Sequence, residues 1–245
     1  MSKQIQDAYI VAATRTPIGR SHRGFFRNTR PDDLLATTLR AALAQVPGLD
    51  PVAIEDIICG CAIPEGSQGL NVARIGAVLA GLPTSVGGIT VNRFCASGLS
   101  AVQMAADRIR VGEAEVMIAA GVESMSMVPM MGNSPSLSPS IFEREGDVGI
   151  AYGMGLTAEK VAQQWKVSRD AQDAFALASH QKALKAQQAG EFTDEITPIE
   201  VTDRSADLDS GEPIVSTRTV SLDEGARPDP SIEGLGKLRT VFSAR

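Results

Sequence analysis

The chain has 245 residues, of which 43% are hydrophobic and 21% charged, and its formal net charge is −6. This balance is typical of a globular protein, whereas the acidic charge and the 4% of aromatic residues argue against a nucleic-acid-binding protein. The three cysteines form no disulfide framework, and neither a signal-peptide core nor a membrane-spanning run is found, so we expect a cytoplasmic protein without membrane contact.

Short apolar runs alternate with amphipathic segments through the first 120 residues. Apolar spacing predicts buried strands at 8–13, 56–61, 89–91 and 116–120, with helices at 34–43, 72–79 and 96–110 between them. Pro31, followed by two aspartates, suits a helix start. Repeated strand–helix–strand units predict an α/β fold with a mostly parallel sheet and helices on both faces.

The second half of the sequence changes character after Gly121. An irregular segment rich in Met, Pro and Ser comes first, and helices are then predicted at 157–165 and 168–188. Thr157 and Ser168 are candidate N-caps and Gly190 a candidate C-cap, whereas residues 203–227 are polar and glycine-punctuated. We therefore expect an α/β domain over 1–121 and an inserted loop or lid subdomain over 122–245.

Cys95 lies just past a predicted strand and immediately before a predicted helix. Unpaired N–H groups and the positive dipole end at a helix start stabilise a thiolate over a thiol. Small residues follow, Ser97 and Gly98, so a substrate carbonyl has room to approach backbone donors. The position permits covalent catalysis by sulfur, although a buried structural cysteine is an equal alternative on position alone.

Six segments resemble the thiolase family in order and spacing. The segment VNRFCASGLSAV at 91–102, which contains Cys95, resembles the active-site cysteine signature of thiolases. Five further segments resemble the family's opening, second helix, glycine-rich turn and CoA-contacting loop domain: 12–19, 68–74, 120–126, 154–160 with 168–175, and 223–228 with 235–239. The resemblance covers nearly the whole chain and makes Cys95 a candidate nucleophile.

The resemblance implies a fold and a reaction. It implies the N-terminal portion of a thiolase, with a mixed, mostly parallel sheet, a loop domain and an absent C-terminal half. Cys95 would be acylated by a 3-ketoacyl-CoA or acetyl-CoA, and thiolysis or the reverse Claisen condensation would follow. Arg227 would lie beside the adenine and ribose phosphate of CoA, and Met154 would lie near its pantetheine. Without the resemblance, Arg227 would be interpreted as a solvated loop charge and Met154 as a core residue. CoA is a substrate, and no metal or redox cofactor is implied.

Other residues refine this expectation. Gly153 stands where acetoacetyl-type enzymes place a histidine, which favours a 3-ketoacyl-CoA thiolase of broader substrate range. Cys59 and Cys61 lie on a predicted strand and are expected to be inert core thiols. Asn71 and Arg74 are expected to be structural or dimer-facing. Family members pair copies through the third strand, so a homodimer or tetramer through 89–91 is expected.

The family's proton-transfer groups lie in Gly-His-Pro and Cys-x-Gly-Gly motifs, and the asparagine that positions its oxyanion-hole water lies in an Asn-Glu-Ala motif, all further along the chain than Arg245. Neither of the two histidines, His22 and His180, matches them, and both are expected to be solvated. We therefore expect no multiple-turnover thiolysis from this chain alone. The alternatives are an inert CoA-binding or scaffold half that needs a partner chain, such as a C-terminal thiolase half, and a decarboxylating or condensing cousin. The loop-domain segments disfavour the cousin.

Overall fold

Three short parallel strands organise the first half of the chain in a computed structural model that describes residues 5–144, 146 and 148–242. They are β1 (Asp56–Gly60), β2 (Gly87–Val91) and β3 (Met117–Gly121), in the order β2-β1-β3. Both neighbours of β1 pair with it in parallel, with Ile58 opposite Ile89 and Ala119. The predicted parallel α/β sheet is confirmed for these strands.

Helices cover both faces of β1, all of whose residues are buried. The helices are α1 (Pro31–Ala44), α2 (Val72–Ala80) and α3 (Ser97–Arg110). Ile57 and Cys59 pack on one face with residues of α1 and α2, whereas Ile58 faces Ala101 and Ala105 of α3. This alternation follows from the two-residue period of a strand and accounts for the continuous apolar run in the sequence.

Local signals set several helix ends. Pro31 is the first residue of α1, with Asp32 and Asp33 in its first turn. The side chain of Asn71 caps α2, and Gly81 ends it in the left-handed conformation at φ 80°. Both ends therefore rest on the residue types that helix termini favour.

The segment 8–13 was predicted to be a buried strand, and this prediction is wrong. Its side chains are open, with Tyr9, Ile10 and Val11 at 76%, 80% and 75% exposure. No strand among the described residues pairs with it. Its last residue, Ala13, is held instead by the side-chain amide of Gln45, which accepts from the Ala13 N–H at 3.0 Å and donates to the Ala13 carbonyl at 3.1 Å. An apolar run indicates a preference for burial, but a strand forms only where a neighbour accepts its hydrogen bonds.

An antiparallel ribbon, which the sequence pattern did not predict, follows at β4 (Ile199–Ala206) and β5 (Pro213–Val220). Ile199 and Val201 alternate toward Phe26 and are buried, whereas β5 is exposed except at Val220. Contacts group the described residues of Met1–Asn133 with Thr193–Gly225, here called the sheet unit. The ribbon and 122–133 thus join the sheet, while the expected domains 1–121 and 122–245 stay a prediction.

The remaining described residues, within Ser134–Phe192 and Ala226–Arg245, form the helical unit. Its helices are α4 (Met154–Trp165), α5 (Arg169–Gln188) and the short α6 (Ile232–Gly236). Ser168 caps α5 as predicted, since its side chain accepts from the Ala171 N–H. However, α4 begins at Met154, three residues before the predicted cap Thr157. In the described part of the chain, no helix is long and apolar enough to cross a membrane.

Candidate active site

The loops that leave the carboxyl ends of β1, β2 and β3 meet at one edge of the sheet. Two hydrogen bonds extend the ladder into these loops: the Cys61 N–H donates to the Val91 carbonyl, and the Val122 N–H to the Gly60 carbonyl, each at 3.0 Å. Cys95 lies in the loop after β2. The carboxyl edge of a parallel sheet is where α/β proteins place reactive groups, so the predicted nucleophile has a suitable location.

A tight turn presents Cys95 between β2 and α3. Phe94 has a φ of 47°, which is left-handed and uncommon for a residue with a side chain. Its N–H donates to Asn92 Oδ1 at 2.8 Å. Ser97 Oγ accepts from the Arg93 N–H at 2.8 Å and donates to the Phe94 carbonyl at 2.6 Å. Two side chains therefore hold the turn, one from each end.

The thiol of Cys95 is exposed, unlike the two other cysteines. Burial, with smaller contributions from Cys61 and Glu123, raises the pKa of Cys59 to about 12. Burial also raises the pKa of Cys61 to about 11, and the nearby Glu123 carboxylate adds to this effect. Cys59 and Cys61 are therefore protonated core thiols, which confirms the prediction that they are buried within the strand region.

The first turn of α3 offers hydrogen-bond donors beside Cys95. Within the described residues, no acceptor is found for the N–H groups of Gly98 and Leu99. A methyl group added at Gly98 would meet nothing within 4 Å, so the space beside these donors is open. An accessible thiol next to unpaired donors is an arrangement that can form a thioester and stabilise an oxyanion.

Neighbouring loops support the turn through polar side chains that the sequence analysis did not single out. Asn92 Nδ2 donates to the Ala62 carbonyl at 2.9 Å, and the Ala62 N–H donates to Glu123 Oε2 at 2.7 Å. Glu123 Oε1 also accepts from the amide of Gln68, which is fully buried. Asparagine directly after a strand is a turn signal that could have identified the first of these contacts.

Close packing joins β1 to the start of α3. A side chain on Gly60 would overlap the backbone of Ser97 and Gly98, so the absence of a Cβ lets the helix approach the strand. Gly60 thus lies between the two buried cysteines and against the residues that follow Cys95.

Arg227 and Met154 belong to the helical unit, whereas Cys95 belongs to the sheet unit. Met154 is the first residue of α4 and is 62% exposed. Arg227 is exposed, and its backbone N–H donates to His180 Nδ1 at 3.2 Å. The imidazole therefore accepts through Nδ1. His180, expected to be solvated, is instead half-buried and holds the backbone of a candidate CoA contact.

The other residues considered in the sequence analysis form hydrogen bonds that support the fold. His22 is exposed, as expected, and its backbone N–H donates to Ser126 Oγ at 2.8 Å. Asn71 caps α2, and Arg74 donates to the Thr84 and Val86 carbonyls. Among the described residues, no group of His, Cys, Asp and Glu is arranged to hold a metal ion.

Known proteins resemble this chain over nearly its whole length. The family model "Thiolase, N-terminal domain" matches residues 8–245. A 3-ketoacyl-CoA thiolase of Bacillus subtilis is 44% identical over 98% of this chain and 60% of its own length. A peroxisomal 3-ketoacyl-CoA thiolase of Arabidopsis thaliana is 42% identical over 96% and 50%. The crystal structure of the Bacillus anthracis acetyl-CoA acetyltransferase matches with a TM-score of 0.81 and 32% identity, covering 99% of this chain and 60% of that one.

Proposed function

Because the chain belongs to the thiolase family, through its N-terminal domain, we propose that Cys95 is the acyl-accepting nucleophile of a thiolytic acyltransferase. Cys95 Sγ attacks the C3 carbonyl carbon of a 3-ketoacyl-CoA, and the C2–C3 bond breaks. Its electron pair stays on C2, which takes up the proton that the Cys95 thiol released and leaves as acetyl-CoA. The acyl group remains on sulfur as a thioester until the thiol of a second CoA displaces it, and the proton of that thiol returns to Cys95.

The observation that supports this proposal most directly is the placement of the Cys95 thiol. It is the exposed cysteine, and it lies three residues before Gly98, whose N–H group, like that of Leu99, has no acceptor among the described residues. Such donors stabilise the negative charge that develops on a carbonyl oxygen during attack, because they are already oriented before the reaction. Cys59 and Cys61 are buried and lack this accessibility, so the proposal assigns the reaction to Cys95.

The proposed substrate class is a 3-ketoacyl-CoA. Two features support it: the similarity to the 3-ketoacyl-CoA thiolases of Bacillus subtilis and Arabidopsis thaliana, and the presence of Gly153 before Met154. The chain spans about half to three-fifths of the length of these relatives. Thiolysis by the whole protein is therefore part of the proposal, as are its substrates.

CoA contacts are proposed in the helical unit. Arg227 would bind the adenine and ribose phosphate end of CoA, and Met154 would contact the pantetheine. The support is local: both side chains are exposed, and His180 fixes the backbone of Arg227. A guanidinium suits phosphate because it presents planar, paired donors.

Pairing of two copies through β2 also belongs to the proposal. β2 is an edge strand of the described sheet, and Ile89 on it is 40% exposed. An edge with free backbone groups pairs readily with another strand, so a two-fold contact through β2 would extend the sheet. Light scattering of the purified chain checks this arrangement, and a monomer at every concentration would contradict it.

Acylation of Cys95 tests the central proposal. The purified chain is incubated with acetyl-CoA, and peptide mapping by mass spectrometry locates the acetyl group. We expect an acetyl thioester on the peptide that contains Cys95, removable by hydroxylamine and absent from Cys95→Ser. If CoA binds but no acyl group is transferred, the chain is a CoA-binding module and the proposal fails.

The CoA contacts are tested by isothermal titration. Arg227→Ala is expected to weaken CoA binding about tenfold because a charge-assisted contact is lost. His180→Leu removes the acceptor for the Arg227 N–H and should weaken binding less. His180→Asn is the matched control, since its Oδ1 can replace Nδ1 as the acceptor and should restore affinity. Equal affinity for all variants would contradict these contacts.

A further inference from the structure

We infer that Asn92 is a positioning residue for Cys95, because its side-chain amide holds the turn that presents the thiol and ties this turn to the loop after β1. The inference rests on the proposed function, since it concerns how the nucleophile is presented. Asn92 itself does not act on the acyl group.

The turn needs an external constraint. Phe94 adopts the left-handed φ of 47°, which costs energy for any residue with a Cβ and more for a bulky one. The Phe94 side chain is 66% exposed, so burial of its ring does not compensate for this conformation. Hydrogen bonds to the backbone of the turn must therefore maintain it, and the direction of the adjacent Cys95 side chain depends on them.

Asn92 supplies such a constraint with both ends of its amide. Oδ1 accepts from the Phe94 N–H at 2.8 Å, two residues along the chain, while Nδ2 donates to the Ala62 carbonyl at 2.9 Å. The first bond closes a local turn over residues 92–94, directly before Cys95, and the second joins this turn to the neighbouring loop. Asparagine combines an acceptor and a donor at this reach, whereas aspartate lacks the donor and serine is too short for both.

The contact on the neighbouring loop is itself fixed. The Ala62 N–H donates to Glu123 Oε2 at 2.7 Å, and Glu123 is held by the amide of Gln68. Gln68 is fully buried and also accepts from the Ser124 N–H at 2.8 Å. Asn92 thus connects the Cys95 turn to a network that spans the loops after β1 and β3.

Ser97 also bonds to the turn, but its role differs. Its hydroxyl contacts Arg93 and Phe94, which lie within the same loop. Of the two side chains, Asn92 is the one that reaches another loop. Loss of Ser97 would loosen the turn itself, whereas loss of Asn92 would also free the turn from the rest of the sheet edge.

The test measures alkylation of Cys95 by iodoacetamide in the native protein, well below the melting temperature, at about pH 8. Asn92→Ala should lower the second-order rate constant about tenfold, as expected for a lost positioning contact. Asn92→Asp retains the acceptor for Phe94 and should lie between the alanine variant and the wild type. If Asn92→Ala fails to fold, Asn92→Asp gives the same comparison.

Asn71→Ala is the matched control. Asn71 also links two segments, since its Nδ2 donates to the Gly88 carbonyl at 2.7 Å and its Oδ1 accepts from Thr90 Oγ1 at 2.8 Å. We expect this control to lower the melting temperature but not the alkylation rate. Equal rates for the wild type and the Asn92 variants, or equal losses in Asn92→Ala and Asn71→Ala, would overturn the inference.

Different results would contradict the proposed nucleophile and the positioning role of Asn92. If wild-type Cys95 reacts no faster than in the urea-unfolded chain, the proposed nucleophile is wrong. If wild-type Cys95 reacts fast and Asn92 has no effect, the nucleophile stands and the positioning role is wrong.

Discussion

The interior of β1 and the turn after β2 contain the same reactive residue type in opposite settings. Cys59 lies in β1 opposite Thr90 of β2, is fully buried, and has a pKa raised to about 12. Cys95, five residues beyond Thr90, is exposed. The buried thiol thus lies within β1, and the accessible thiol lies just beyond the end of the strand that pairs with β1.

The difference teaches that backbone position, rather than residue type, decides what a thiol can do here. Within β1 the ladder uses the backbone groups on both sides, and helices cover both faces. Past β2 the chain leaves the ladder before α3 begins, and the N–H groups of Gly98 and Leu99 in the first turn of α3 have no acceptor in the part of the chain that the structure describes. We therefore expect the reactive thiol to be the one at the junction between β2 and α3.

The largest expected effect concerns which thiol reacts. At about pH 8, a thiol with a pKa of about 11 has a thiolate fraction about a hundredfold below that of a thiol with the ordinary pKa of 9.0. We expect iodoacetamide to modify Cys95 first, and Cys95→Ser to reduce the labelling rate more than about a hundredfold. Mass spectrometry of digested protein measures this. Earlier labelling of Cys59 or Cys61 in the wild type would break the comparison.

The next effect tests how closely β1 supports the Cys95 turn. Gly60→Ala would push against the backbone of Ser97 and Gly98, because neither β1 nor α3 can move without disturbing the core. We expect a loss of at least about 3 kcal/mol in the free energy of unfolding, the upper range for overpacking. Urea denaturation measures it.

Gly98→Ala is the control for this substitution. Its added methyl group meets nothing within 4 Å, so we expect no loss of unfolding free energy and a gain of up to about 1 kcal/mol, because alanine favours the helix more than glycine does. Similar losses in Gly60→Ala and Gly98→Ala would show that the strand–helix contact is not the cause.

A third effect follows from the raised pKa of Cys59. Its pKa in the folded protein, about 12, lies above the usual 9.0, so its protonated form stabilises the fold below pH 9.0. That contribution falls as the pH rises from 9.0 toward 12, by about 1.4 kcal/mol per pH unit, because only the unfolded thiol ionises there. Cys59→Ala should therefore show a shallower loss of unfolding free energy between these pH values. Parallel pH profiles would contradict the assignment.

Features that depend on neighbouring residues along the chain were predictable. The starts of α1 at Pro31 and α5 after Ser168 follow from residue types that suit helix termini. The position of Cys95 between a strand and a helix followed from the same kind of signal. The strand end, the small residues and the helix start lie within a few positions of each other in sequence, so periodicity was enough.

Features that depend on distant partners were not predictable. The run 8–13 has a strand's composition, but no described strand accepts its hydrogen bonds. The ribbon is buried mainly where Ile199 and Val201 meet Phe26, which is more than 170 positions away. Asn92 and Glu123 both form hydrogen bonds with the backbone of Ala62, so three loops are connected. The spacing of residues in the sequence does not predict this connection. Such contacts are set by the topology of the sheet.

The smallest expected effect separates the strain at Phe94 from the packing around it. Phe94→Gly replaces a left-handed, largely exposed residue with one that adopts φ 47° freely. We expect unfolding free energy to rise by up to about 1 kcal/mol. Leu99→Gly, at a 75% exposed site in regular α3, should lower it by about 1 kcal/mol. Both variants remove an exposed apolar side chain, so changes of opposite sign in the unfolding free energy would identify backbone conformation as the cause. Losses of equal size would instead show that the Phe94 ring stabilises the turn.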